Sequence, residues 1–204
     1  MGDADQMSEA PPSSFSLDPV AYLVAELSAA VGLVALVPLV GWDRATPCDG
    51  WDVRDVVNHL STVTEKFTRF ACGEDGLLRE ERRDWLGEEP AAGFAAIAAA
   101  SQRAWIEHPE ALDRTCQLPF GEFDGAVAAA INLFDVVVHG WDVATAVGLT
   151  WRPALGAVDL SIGVAEQLVA PESRASGQFA PPSSSSSPTP LGRLLAMTGR
   201  RSGG

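Results

Sequence analysis

The stretch Val127–Val147, VAAAINLFDVVVHGWDVATAV, decides the fold. It is apolar almost all round, with Asn132, Asp135, His139, Asp142 and Thr145 as its polar exceptions. At roughly 100° per residue, the first four of these fall within a stripe about 80° wide. The pattern predicts a helix from about Asp124 to Val147, apolar enough to lie inside a bundle. Asp135 and His139 are four residues apart, so they stack on consecutive turns and can grip one ion together. Imidazole and carboxylate are ordinary ligands for zinc and its first-row neighbours. The same stripe could equally be a solvated helix face, and taken alone it leaves both readings open. Asp142 lies one turn beyond His139, where it could orient that histidine or a bound water. Asn132, one turn before Asp135, is the other candidate for a supporting role.

Upstream, Val53, Val56, Val57, Leu60, Val63, Phe67 and Phe70 recur at helical spacing. They mark one buried face of a helix over about Trp51 to Cys72. His59 lies at the edge of that face, beside Val56 and Val63. A lone histidine there is more often a hydrogen-bonded boundary residue than a ligand. Antiparallel bundle helices can nevertheless point it at a neighbour's ligands, and three ligands from two helices would leave open metal positions.

The other elements are read from caps and breakers. Asp18-Pro19 is a helix start, and Pro38 stops the helix that follows. An Ala-rich helix is expected from about Pro90 to Glu107, a shorter one from Ala157 to Val169, and a last short one at Leu191–Met197. Residues 43–50 read as a loop, 74–89 as an exposed charged stretch and 108–123 as a connection containing Pro109, Pro119 and Gly121. No strand-period segment stands out. The expected organisation is a loose N-terminal tail at 1–15, a bundle domain at 16–174, a Ser/Pro-rich linker at 175–190 and a C-terminal segment at 191–204. The fold class is all-α: a four-helix bundle with short additional C-terminal helices.

Composition narrows the function. The 204 residues carry 14 basic and 27 acidic side chains, a formal charge of −13, and 47% of them are apolar. A surface that acidic repels nucleic acid and anionic membranes, so neither is expected as a partner. Val20–Trp42 is long enough to span a bilayer, but its acidic flank, Pro38 and Gly41 favour a buried core helix. Cys48, Cys72 and Cys116 are isolated thiols, which suits a reducing cytoplasm. None has a basic partner that would make it a nucleophile. His108 precedes Pro109 in a loop and reads as a surface residue. The six tryptophans, Trp42, Trp51, Trp85, Trp105, Trp141 and Trp151, read mostly as core or boundary packing. Trp141 adjoins His139, but position i+2 on a helix points away.

Three stretches resemble one family. Thr46–Leu60, TPCDGWDVRDVVNHL, is similar to the second-helix entry of actinobacterial DinB-like proteins, relatives of the N-terminal domain of mycothiol-dependent maleylpyruvate isomerase. Asp135–Ala144, DVVVHGWDVA, resembles their fourth-helix motif, and Leu191–Arg200, LGRLLAMTGR, their C-terminus. The resemblance implies a DinB-like four-helix bundle with a divalent metal between helices two and four. Its ligands would be His59, Asp135 and His139, and Asp135 stands where many relatives carry Glu. The enzymes of the family use a low-molecular-weight thiol, often mycothiol, for isomerisation or S-transfer, and many relatives have no established activity.

The first expectation is therefore a metal-dependent thiol transferase or isomerase acting on a small electrophile. Zinc or nickel would be its metal, with iron the next candidate, and mycothiol or another small thiol its co-substrate. A non-catalytic metal-binding or stress-response protein is the alternative, and a biosynthetic enzyme that repurposed the bundle is another. Two histidines and one carboxylate are also the ligand set of non-haem iron oxygenases. An apolar, acidic bundle is compatible with a homodimer.

Overall fold

The computed structural model describes residues 17–74, 83–175, 179–183 and 188–201. Helix α1 spans Pro19–Ala35. The Asp18 carboxylate accepts the Val20 and Ala21 N–H groups at 2.9 and 3.1 Å, and Pro19 needs no partner at the first position. Helix α2 spans Val53–Ala71 and opens with a capping box. In it Asp52 accepts the Asp55 N–H at 2.8 Å, while Asp55 accepts the Asp52 N–H at 3.2 Å. Helix α3 spans Pro90–Glu107 and α4 spans Gly125–Val147. Helix α4 ends at Gly148, whose φ of 73° is the left-handed cap that glycine adopts without strain. Helix α5 follows at Leu155–Leu168, α6 at Pro171–Ala175 and α7 at Pro190–Met197.

Helices α1 to α4 form the bundle. Helix α1 packs on α3 and α4, and α2 packs on the same two from the other side. Leu23 and Leu27 of α1, Val56 and Leu60 of α2, Phe94 of α3 and Leu133 of α4 are all buried in the shared core. Each large aliphatic or aromatic side chain taken from water there contributes about 1.5–3 kcal/mol. Helix α5 lies against α4 and α1, and α7 docks on α5. The start of α5 is tied to α1 by buried Glu26, which accepts the Ala154 N–H at 2.8 Å.

Where sequence expectation and structure differ, the cause is physical. The connection at 108–123 contains a hairpin, β1 (Thr115–Leu118) antiparallel to β2 (Gly121–Asp124), with Cys116 opposite Phe123. Each strand has four residues, too few for a period to declare itself, although Cys116 and Leu118 do alternate inward. A 3-10 turn at Pro109–Asp113 precedes the hairpin. Part of the stretch read as exposed is seated on α2: Leu86 is buried, and Asn58 binds the Arg83 carbonyl at 2.9 Å and the Trp85 N–H at 2.8 Å. Residues 75–82 of that stretch lie outside the described residues. So do the tail at 1–15 and, within the linker, 176–178 and 184–187.

The apolar stretch from Val20 is helical only to Ala35, and a short 3-10 turn follows at Leu39–Gly41. Among the described residues, the helix long and apolar enough to cross a membrane is α4, and most of it is buried in the bundle.

Candidate metal centre

His59 projects from α2 towards Asp135 and His139 on α4. The polar stripe of α4 does not face water: Asn132 and Asp142 are fully buried, and His139 is 8% exposed. Asp135 Oδ1 lies 3.4 Å from His59 Nε2 and 3.6 Å from His139 Nε2. The two imidazole centroids are 5.0 Å apart at 73°. One donor atom from each of the three residues lies within 4.8 Å of the other two.

The proton inventory at His139 is informative. Its Nδ1 stands 2.9 Å from Asp142 Oδ2. An ionised carboxylate can only accept, so Nδ1 carries the hydrogen and a neutral ring presents its Nε2 lone pair to Asp135. Lone pair would then face lone pair across 3.6 Å. That arrangement calls for a cation between them, either a proton or a metal ion. The distances of 3.4 and 3.6 Å exceed those of good N–H···O bonds. Donors about 2.1 Å from one ion in a tetrahedral array stand about 3.4 Å apart. The second oxygen of Asp135 is buried without a hydrogen-bond partner among the described residues. Buried carboxylate oxygens are rarely left so. The three residues therefore fit a divalent cation.

Behind His139 runs a second layer. Arg200 grips Asp142 through two contacts, Nη2 to Oδ2 at 2.8 Å and Nε to Oδ1 at 3.2 Å. Arg200 is itself 9% exposed, held by its backbone N–H to the Leu195 carbonyl at 2.8 Å. Burial opposes ionisation of Asp142, but the hydrogen bond from His139 and the guanidinium of Arg200 outweigh it, and its pKa lies below the usual carboxylate range. Burial likewise opposes ionisation of Asp135, and His59 and His139 outweigh it there.

Of the two supporting candidates, Asp142 binds His139 directly. Asn132 instead receives the Thr64 hydroxyl of α2 at 3.5 Å, a long contact, and its amide nitrogen is buried without a partner among the described residues. His108 stands apart, paired with Glu110 at 3.1 Å. The Cys48 thiol lies within 4.8 Å of donor atoms of His139 and Asp142. Burial pushes its pKa up, against the pull of Arg200, so it stays protonated. Cys116 is buried and pushed up to about 11.

Two neighbours had no clear signal in the sequence. Trp51 lies 4.9 Å from the His59 ring and 6.0 Å from His139, almost parallel to the latter at 19°. Arg200 comes from the C-terminal segment, 58 residues beyond its partner. Only the match of the LGRLLAMTGR stretch to a family terminus pointed to that region at all.

The bundle is a DinB-like fold, and two histidines and a carboxylate converge between its second and fourth helices. The chain belongs to the mycothiol maleylpyruvate isomerase N-terminal domain family, whose model matches residues 23–144. Two uncharacterized proteins of Mycobacterium tuberculosis, from strains CDC 1551 and H37Rv, are each 29% identical over 167 residues, covering 76% of this chain and 82% of theirs. The crystal structure of the mycothiol-dependent maleylpyruvate isomerase superposes with a TM-score of 0.55 at 13% identity. The match covers 78% of this chain and 71% of that one, and it shows a shared fold. Arg200 lies outside the segment matched by the family model.

Proposed function

We propose that this protein is a metal-dependent enzyme. In this reading His59, Asp135 and His139 hold one divalent cation, and a low-molecular-weight thiol is used on a small electrophilic substrate, by isomerisation or S-transfer. The family's name makes mycothiol the first thiol to test. Nitrogen and carboxylate donors suit zinc or nickel, with iron next. The observation that carries the reading is Asp135: one oxygen faces the two imidazole nitrogens, and the other is buried with no donor among the described residues.

A bound divalent cation would supply a thiolate at neutral pH from a coordinated thiol. The chain's own residues prepare the site for it. Asp142 holds the hydrogen of His139 on Nδ1 and frees Nε2. Arg200 balances the buried charge of Asp142. Asp135 stays ionised. We take the bundle at 16–174 and the C-terminal segment at 191–204 as one functional unit, because the segment delivers Arg200.

The test is elemental analysis of protein purified without added metal or chelator, beside His59→Ala and the double variant Asp135→Ala/His139→Ala. The expected result is near-stoichiometric metal in the parent and none in either variant. Metal-loaded parent is then titrated with mycothiol. A parent that takes up neither zinc nor nickel would sink the proposal.

A further inference from the structure

We propose that Trp51 is a positioning residue of this centre: its indole fixes the planes of His59 and His139. The inference rests on reading His59, Asp135 and His139 as a cation site. It concerns a residue that sequence reasoning assigned to packing.

The indole is placed before α2 begins. The Trp51 N–H donates to the Cys48 carbonyl at 3.0 Å, and the Trp51 carbonyl accepts the Thr46 N–H at 3.0 Å and the Thr46 hydroxyl at 2.9 Å. Asp52 then caps the helix, so the backbone on both sides of Trp51 is fixed. From there the ring reaches both histidines, tilted at 57° against His59 and nearly parallel to His139. The two donors sit on different helices, and the one indole lies 4.9 Å from the first ring and 6.0 Å from the second. His139 is thus held at its Nδ1 edge by Asp142 and on its face by Trp51, which together define where Nε2 points.

The contact also depends on the state of the site. An imidazole gains positive character when its free nitrogen takes a cation, and an indole face attracts positive charge. The stack therefore strengthens in the loaded protein and raises cation affinity, beyond any effect on folding. Partners that orient a metal-bound histidine typically change metal affinity by about 10–100-fold.

The experiment uses the full chain. Zinc affinity is measured by competition with a chromogenic chelator for the parent, Trp51→Ala and Trp51→Phe, with unfolding of the metal-free proteins followed by circular dichroism. Trp51→Ala is expected to bind zinc at least about tenfold more weakly, and Trp51→Phe to recover most of the loss. Equal zinc affinity in parent and Trp51→Ala would overturn the role of Trp51 while leaving the cation site standing. A parent that binds no zinc would overturn both. If Trp51→Ala fails to fold, the zinc affinity of Trp51→Leu takes its place: parent-like affinity overturns the proposal, and a loss of about tenfold supports it.

Discussion

Arg200 and Asp142 meet in the interior as a bidentate ion pair, 2.8 Å at the shorter contact, with Asp142 fully buried and also accepting the Nδ1–H of His139. A buried pair of this kind is costly to break from one side, because the surviving charge is stranded. Arg200→Met should therefore destabilise the protein by about 3–5 kcal/mol. Adding Asp142→Asn should recover part of that loss. A double-mutant cycle in urea, with zinc affinity measured on the same four proteins, checks both points. Independent, additive losses would mean that the two residues do not act together.

A cation held by His59, Asp135 and His139, as proposed, should be visible in stability. A ligand that binds only the folded state contributes about 2.7 kcal/mol at a hundredfold excess over its dissociation constant. Zinc should raise the unfolding temperature of the parent, and a chelator should reverse the rise. His59→Ala should show neither change. An equal rise in parent and variant would place the ion elsewhere.

Gly140 follows His139 on α4, and a Cβ there would lie 2.6 Å from Trp151 Cε2. Trp151 cannot retreat easily: it is 8% exposed, and its indole N–H donates to the Val137 carbonyl at 3.0 Å. Gly140→Ala should cost about 1–3 kcal/mol by overpacking and weaken zinc binding by shifting the turn that carries His139. Thermal unfolding and chelator competition measure the two effects. An unchanged midpoint would show that the ring moves aside freely.

Glu26 supplies a pH test remote from the centre. Burial raises its pKa above 4.5, against the lowering effect of the Ala154 N–H. A carboxyl raised in the folded state binds its proton more tightly there than in the unfolded chain. Its contribution to stability is fully present below about 4.5 and is lost as pH rises through the folded value. Glu26→Gln keeps an acceptor for Ala154 and does not titrate. The difference in urea midpoint between the Glu26→Gln variant and the parent should therefore grow in favour of the variant as pH rises from about 4 to 7. A flat difference would show that Glu26 ionises without penalty.

The core of the site was legible because α4 is apolar almost everywhere else, so Asp135 and His139 had no polar background to hide in. His59 was legible through its place at the edge of the α2 apolar face. Whether the stripe met water or protein was not, because that depends on the helices packed against it; full burial of Asp142 answers it. Arg200 was out of reach for the same reason, since its partner is set by how α7 docks on α5. The hairpin at Thr115–Asp124 escaped because four-residue strands carry too little periodicity. Trp51 looked like packing because tryptophan most often fills core or boundary positions, and the expected helix began at it, whereas α2 starts at Val53 and leaves the indole in the preceding turn.

The bundle's helices close on local contacts, but the centre does not. His59 meets Asp135 across 76 positions, and Arg200 meets Asp142 across 58. Loops that long are entropically costly to close before anything rewards them, whereas individual helices form within about a microsecond. Refolding should therefore proceed in an order: helical signal first, burial of Trp51 against the histidines later, and capture of Arg200 by Asp142 after the C-terminal segment has docked. The time between the first and last of these events is the interval in which the chain is already helical but has no centre.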